Sequence, residues 1–281
     1  MTLPPLFQGA EHLPFTLAGS APGGPAALLV HGFPGTPAEL RPLAEALHAA
    51  GWTARGLLLP GFGPEFAALG RQHAADWIGA VRGALDELLA QHQPVVLIGY
   101  SLGGALALHA LSQGAAPAGL VLLAPFWNFR VPAWQRLVFA AVRRVRPSFR
   151  PLARANFNDP RLRAGLTQML PGLALDDPAV QAQLRAFELP ATLLDALQTV
   201  FHGALALAPE AKLPILVVQG QADETAKPAD TRVLAGRLGG PLWYVEVSGG
   251  HDLVKPEGPG WTRLRDTVLD FAPGLVNSTD G

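Results

Sequence analysis

Gly99-Tyr100-Ser101-Leu102-Gly103 is the stretch that decides the fold of this 281-residue chain. Before it runs Pro94-Val95-Val96-Leu97-Ile98, an apolar and β-branched segment typical of a buried strand. After it, residues 104–111 are rich in Ala and Leu and free of proline, which predicts a packed helix. A serine in a sharp strand-to-helix turn presents its hydroxyl above the sheet, and flanking glycines allow the tight backbone approach. We therefore predict that Ser101 is a nucleophile, against the alternative of an ordinary Gly-Ser turn.

The composition favours a globular protein and excludes several classes. Apolar residues make up 49% and charged residues 15%, enough for a large buried core. A net charge of -1 argues against a protein that binds nucleic acid by neutralising phosphates. The chain has no cysteine, which excludes disulfides, thiolate metal sites and a cysteine nucleophile. No signal peptide and no uninterrupted apolar stretch of about 18 residues is visible, so we expect a soluble, cytoplasmic protein.

Strands and helices alternate over residues 1–125 and again over 211–281. This alternation predicts an α/β fold with a mostly parallel central sheet and helices on both faces. From Phe126 to about Glu210 no strand is predicted, and the segment is helical and broken by prolines. We therefore predict a core of residues 1–125 and 211–281 into which a helical lid, residues 126–210, is inserted.

Three helices are predicted in the lid: Ala133–Val145, Pro178–Phe187 and Ala191–Ala206. The first is basic and amphipathic, but one short basic helix anchors weakly, so we expect at most peripheral membrane contact. The last is apolar along one face and is expected to form a wall of the substrate pocket. His202 on that helix is expected in the core or on the surface rather than at the site.

Two loops downstream of Ser101 offer a base and an acid. A serine hydroxyl is a poor nucleophile until a base accepts its proton and a third group orients that base. His251 lies among glycines in the loop after the last predicted strand, where the backbone can swing its ring toward a neighbouring strand end. Asp223 follows the preceding strand and comes first after the turn, and Glu224 beside it is the alternative acid.

Two backbone N–H groups are candidates for an oxyanion hole. The residue after the nucleophile supplies one donor, which makes the Leu102 N–H the first candidate. The loop after the early strand supplies the other, and Phe33 in His31-Gly32-Phe33-Pro34-Gly35 is the natural choice because Pro34 has no N–H. We expect His31 to hold this loop rather than to act as a second base.

The helix after this loop has a clear predicted start. Thr36 is placed as its N-cap, Pro37 at its first position and Glu39 at its third, a combination that favours helix initiation.

With these pieces assembled, the sequence resembles the α/β-hydrolase superfamily, and within it the small bacterial carboxylesterases and monoacylglycerol lipases. The resemblance covers nearly the whole core and fades in the lid. It implies that Ser101, Asp223 and His251 are catalytic, in the chain order of that superfamily. Family members commonly carry Gly-His-Gly where this chain has Gly61-Phe62-Gly63, which predicts a changed pocket rim. The resemblance is carried by residues 28–37, Arg41-Pro42-Leu43-Ala44, Gly99–Gly104, Asp223-Glu224 and Gly250-His251.

The resemblance implies hydrolysis of short-to-medium acyl esters or monoacylglycerols through an acyl-enzyme on Ser101. The predicted oxyanion donors are Phe33 and Leu102, and the expected partner is a small apolar ester. No motif for a metal or an organic cofactor is present in the sequence, so none is expected. Other triad hydrolases (thioesterase, C–C hydrolase, amidase or peptidase) are the alternative. A catalytically silent binding protein of the same fold is a further one.

Overall fold

In the computed structural model, which describes residues 7–112, 114, 116–128, 148–169 and 174–276, a seven-stranded sheet forms the centre of the chain. Its strands are β1 (Phe15–Leu17), β2 (Ala26–Val30), β3 (Thr53–Leu57), β4 (Val95–Tyr100), β5 (Gly119–Leu123), β8 (Ile215–Gly220) and β9 (Leu242–Val247), with β6 and β7 given below. The spatial order is β1-β3-β2-β4-β5-β8-β9, and every neighbouring pair is parallel except β1 with β3. The predicted mostly parallel sheet is confirmed.

Helices cover both faces of this sheet, and the reason is visible in the central strands. All five residues of β2 are buried, as expected of a strand with helices above and below it. The α-helices of the described residues are α1 (Arg41–Ala49), α2 (Ala74–Leu89), α3 (Leu102–Ser112), α4 (Pro160–Met169), α5 (Pro178–Ala186), α6 (Ala191–Leu207), α7 (Pro228–Ala235) and α8 (Trp261–Val276). Leu28 and Val30 pack in a cluster with α2, α3 and α6, while Ala27 and Leu29 pack with α1 and α8 on the other face.

The segment between β5 and β8 differs from the expectation in two details. It contains a short antiparallel pair, β6 (Ser148–Phe149) with β7 (Leu189–Pro190), where no strand was predicted. It also contains α4, which was not predicted; its sequence, PRLRAGLTQM, contains few apolar residues. The helices α5 and α6 match their predicted positions, whereas the basic helix predicted over Ala133–Val145 lies outside the described residues.

The helix α6 is apolar because it packs on the core. Its residues Leu193, Val200 and Ala204 are buried, and the His109 ring of α3 hydrogen-bonds to the Val200 carbonyl oxygen at 2.9 Å. Within the described residues, Ala191–Glu210 is the segment long and apolar enough to cross a membrane by composition alone. Burial against α3 accounts for that composition in a folded domain.

Candidate active site

Ser101 occupies the sharp turn between β4 and α3, as predicted. Its φ of 52° lies in the left-handed region, where a residue other than glycine is strained by about 1–3 kcal/mol. Its N–H donates to the Leu123 carbonyl oxygen at 3.0 Å, which ties the turn to the next strand. A Cβ at Gly99 would collide with the Gly103 backbone, and one at Gly103 would collide with the Val30 carbonyl oxygen. Both glycines are therefore required by close backbone approach.

The loops after β8 and β9 bring Asp223 and His251 to Ser101. The Ser101 Oγ lies 3.0 Å from His251 Nε2, and His251 Nδ1 lies 2.8 Å from Asp223 Oδ2. Because a carboxylate only accepts hydrogen bonds, Nδ1 carries the ring proton and Nε2 is left to accept from the serine hydroxyl. The three side chains, far apart in sequence, form one continuous hydrogen-bonded chain.

Asp223, and not Glu224, is the acid in contact with His251. The Asp223 side chain is fully buried, and its Oδ1 accepts the N–H groups of Thr225 and Ala226, each at 2.8 Å. Glu224 is exposed to solvent. The path of the loop therefore places Asp223, and not Glu224, beside His251.

Gln219 is a buried residue of this site that the sequence reasoning missed. Its Nε2 donates to the Ala226 carbonyl oxygen at 2.9 Å and to Asp223 Oδ2 at 3.3 Å. Its Oε1 accepts from the Thr231 hydroxyl at 2.7 Å. Gln219 thus holds both the acid and the loop around it. The sequence feature that could have identified Gln219 is a polar amide near the end of β8, whose preceding residues are apolar.

Tyr100 was also missed, although it directly precedes the nucleophile. Its hydroxyl donates to the His251 carbonyl oxygen at 2.8 Å, and the two rings lie 5.3 Å apart. Burial, with the nearby carboxylates of Glu39, Asp223 and Asp252, raises the pKa of the phenol well above its usual range. Tyr100 therefore stays a neutral donor that fixes the backbone at His251.

The two predicted oxyanion donors, the N–H groups of Phe33 and Leu102, belong to two separate segments of the chain. Leu102 is the first residue of α3, so its N–H is one of those that lack an intrahelical acceptor. Phe33 lies in a turn closed by the Gly35 N–H, which donates to the Gly32 carbonyl oxygen at 3.1 Å. Phe33, Leu102 and Ser101 border the same cavity.

His31 holds this turn, as expected. Its Nδ1–H donates to the Gly32 carbonyl oxygen at 2.8 Å, and its Nε2 accepts the Leu59 N–H at 3.2 Å. Complete burial lowers the pKa of the ring to about 4, so His31 is neutral at physiological pH. A buried neutral ring with both nitrogens engaged is a structural group.

The helical segment begins where predicted, but without a side-chain cap hydrogen bond. Thr36 is the N-cap of a 3₁₀ turn (Pro37–Leu40) that leads into α1, but its side chain makes no cap hydrogen bond. The hydroxyl instead pairs with His12 Nδ1 at 2.8 Å, and Glu39 Oε2 accepts the Gly32 N–H at 3.2 Å. Contacts with other parts of the chain replace the local capping bonds.

Phe62 does not form the rim of the pocket, contrary to the prediction from Gly61-Phe62-Gly63. It is fully buried, with its ring 5.1 Å from that of His31 and 5.9 Å from that of Phe33 in the Gly32–Gly35 turn. It also packs against Trp77, 5.8 Å away. Phe62 therefore packs against the turn and does not line the cavity.

A cavity of about 610 Å³ lies over Ser101. Its lining is mostly apolar, and α6 supplies several of these residues, as predicted for this helix, whereas His202 is exposed and does not line the cavity. The apolar lining includes Phe126, Leu189, Leu193, Leu194, Leu197 and Phe201, and the polar lining includes His12, Thr36, Glu39, Thr225, Asp252 and Lys255.

Comparison with curated proteins finds one relative of clear similarity. The chain is 38% identical over 117 residues to a thermostable monoacylglycerol lipase from Bacillus sp. (strain H-257). The match covers 42% of this chain and 45% of that relative, so it spans less than half of either protein.

Solved structures share the fold over nearly the whole chain. A structure described under the metagenome-derived lipolytic enzymes LipS and LipT is matched with a TM-score of 0.69 and 22% identity, over 94% of this chain and 98% of that chain. The Paleococcus ferrophilus monoacylglycerol lipase gives a TM-score of 0.67 and 18% identity, over 94% and 98% of the two chains.

The family model described as serine aminopeptidase S33 (Hydrolase_4) matches residues 25–247, which is most of the chain and contains both Ser101 and Asp223. This chain therefore belongs to the α/β-hydrolase superfamily and, within it, to the Hydrolase_4 family.

Proposed function

We propose that this protein is a serine hydrolase that cleaves carboxylic esters, either short-to-medium acyl esters or monoacylglycerols. One observation carries the proposal: Ser101, His251 and Asp223 are linked by hydrogen bonds of 3.0 and 2.8 Å at the base of a largely apolar cavity. The lipolytic names of the matched relatives support the same chemistry.

In the proposed mechanism, Ser101 Oγ attacks the ester carbonyl carbon while His251 Nε2 takes its proton. Asp223 orients the ring and stabilises the imidazolium that forms. The negative charge that develops on the carbonyl oxygen is met by the N–H groups of Phe33 and Leu102. The imidazolium then protonates the departing alcohol oxygen, which leaves an acyl-enzyme on Ser101. Water activated by His251 hydrolyses that acyl-enzyme and restores the serine.

The lining of the cavity supports an ester with an apolar acyl chain and a polar alcohol. An acyl chain placed along Leu193, Leu197 and Phe201 would lose water-exposed apolar area at each methylene. The alcohol would then form hydrogen bonds with polar lining groups such as Thr225 and Lys255. A glycerol alcohol suits such groups better than a plain alkyl alcohol does.

Residues 126–210 act in this proposal as a lid inserted into the core of residues 1–125 and 211–281. Support comes from the cavity itself, since Phe126, Gly165 and several residues of α6 belong to its lining. The segment therefore contributes to substrate selection. A cytoplasmic location remains a prediction from the sequence.

The test is the turnover of nitrophenyl esters from acetate to palmitate and of 1-monoacylglycerols, by the wild type and by Ser101→Ala. We expect a burst of nitrophenol, an optimum at short-to-medium chains and loss of turnover in the variant. An unchanged rate in Ser101→Ala would overturn the proposal. If the wild type turns over none of these esters, but both it and Ser101→Ala bind a monoacylglycerol, the silent binding protein would be favoured.

A second candidate is an amidase or peptidase, favoured by the name of the matched family, serine aminopeptidase S33. The same nucleophile, base and oxyanion donors serve amide hydrolysis. Aminoacyl nitroanilides assayed beside the nitrophenyl esters separate the two. A higher kcat/KM for the anilides would replace the ester proposal by this one.

A further inference from the structure

The turn that carries the Phe33 N–H is packed directly against the nucleophile. A Cβ placed on Gly32 would lie 3.2 Å from the Cβ of Ser101 and 3.2 Å from the ring of Tyr100. The ends of the turn, Gly32 and Gly35, are joined by one backbone hydrogen bond of 3.1 Å. A small shift of this turn would therefore move the Phe33 N–H relative to the reacting carbonyl.

Glu39 belongs to the 3₁₀ turn Pro37–Leu40, and its side chain contacts both ends of the Gly32–Gly35 turn. Its Oε2 accepts the Gly32 N–H at 3.2 Å. Its carboxyl group also lies so close to Gly35 that a Cβ there would collide with it. The same side chain borders the cavity above Ser101.

The carboxyl group of Glu39 is in an unusual environment for a glutamate. Burial raises its pKa to about 7, against the lowering effects of the Gly32 N–H and of the charges of His251 and Lys255. Burial of an ionised carboxylate lowers the free energy of unfolding. An apolar side chain would fill the space without that penalty, which points to a use for the acceptor oxygen.

We propose that Glu39 is a positioning residue for ester hydrolysis: its carboxyl oxygen holds the Gly32–Gly35 turn so that the Phe33 N–H faces the oxyanion. The inference rests on the proposed function, because it assigns Phe33 to the oxyanion hole. Glu39 itself touches none of the triad side chains by hydrogen bond in the described residues. Its effect is exerted through Gly32.

Two substitutions separate the hydrogen bond from the volume and the charge. Glu39→Gln keeps an acceptor oxygen for Gly32 and removes the charge, whereas Glu39→Leu fills similar space without an acceptor. The exposed Glu45 on α1 supplies the matched control, Glu45→Leu. Wild type and the three variants are compared by kcat and KM on one nitrophenyl ester, and by the Ki of a trifluoromethyl ketone. That ketone forms a covalent oxyanion adduct with a nucleophilic serine. Circular dichroism and thermal unfolding confirm that each variant is folded.

We expect Glu39→Leu to lower kcat by about 10- to 100-fold with little change in KM, because misplacing a group by about 1 Å costs up to about 100-fold. Its Ki for the ketone should rise in parallel. Glu39→Gln should recover most of the kcat and most of the ketone affinity.

A merely structural role would lower thermal stability without a selective effect on kcat and on ketone binding. A Glu39→Leu enzyme within threefold of Glu45→Leu would overturn the inference, as would equal losses in the Leu and Gln variants. If the wild type turns over no ester, the proposed function fails first. If it does and Glu39→Leu is unaffected, only the role of Glu39 fails.

Discussion

Replacing Asp223 by asparagine should disable His251 by reversing the tautomer of its ring. Asp223 Oδ1 accepts two N–H groups, from Thr225 and Ala226, at 2.8 Å each. An asparagine must keep its carbonyl oxygen at that position, because its amide nitrogen has no lone pair to offer. The –NH₂ group therefore replaces Oδ2 and points at His251 Nδ1, which lies 2.8 Å from Oδ2 in the wild type. Nδ1 then has to accept, the proton moves to Nε2, and Nε2 no longer accepts from Ser101.

The size of this effect follows from the loss of the base. In serine hydrolases the wrong histidine tautomer lowers kcat by about 10⁴-fold, which corresponds to about 5.5 kcal/mol of activation free energy. The fold should persist, since the two backbone N–H groups keep their acceptor and only the long 3.3 Å bond from Gln219 Nε2 to Oδ2 is lost. The assay is kcat on a nitrophenyl ester at pH 7–8 for the wild type, Asp223→Asn and Glu224→Gln. Glu224 is the exposed neighbour, so its variant should match the wild type. Asp223→Asn activity within tenfold of the wild type would refute the tautomer reasoning, and so would a larger loss in Glu224→Gln.

Three further predictions concern stability and specificity. The folded pKa of Glu39 is raised from 4.5 to about 7, so the folded state binds this proton more tightly and its stability falls as pH rises through that interval. Glu39→Gln should therefore gain about 2–3 kcal/mol on the wild type between pH 5 and pH 8 in urea unfolding, and parallel pH curves would contradict this. Leu194→Trp, which narrows the apolar part of the cavity, should reduce the turnover of long acyl esters while sparing nitrophenyl acetate. An unshifted chain-length profile would exclude that wall as the acyl site. Gly103→Ala, whose Cβ would collide with the Val30 carbonyl oxygen, should lower the unfolding temperature by several degrees and reduce activity, whereas Gly79→Ala on α2, with open space around it, should not. Equal unfolding temperatures for these two variants would show that the turn tolerates a side chain.

The sheet and the serine turn could be predicted because their signals are local. Burial makes the consecutive residues of a strand such as Val95–Tyr100 apolar, and the tight turn requires glycines next to Ser101. Both patterns can be recognised within a few residues of sequence. The helix α4 could not be predicted in this way, since the apolar cluster that its residues Leu162 and Leu166 join is small. Prediction worked where burial imposes a pattern on consecutive residues.

The residues that support the site were harder to predict because their partners are remote. Tyr100 and His251 are separated by 151 positions, and nothing near Tyr100 in the sequence marks its bond to the His251 carbonyl oxygen. Asp223 and Glu224 are adjacent acids that only the loop path tells apart. Glu39 fitted a local capping pattern that its actual contact with Gly32 replaces. Long-range polar contacts of this kind follow from the assembled fold.

The most direct test of the central claim is peptide mapping after reaction of the folded protein with a fluorophosphonate. Such reagents phosphonylate a serine only when a neighbouring base and oxyanion donors activate it. We predict a single adduct on Ser101 that appears in step with the loss of ester hydrolysis, and no adduct in Ser101→Ala. Hydrolysis that continues in the fully labelled protein, or an adduct on a different residue, would contradict the assignment of Ser101 as the nucleophile.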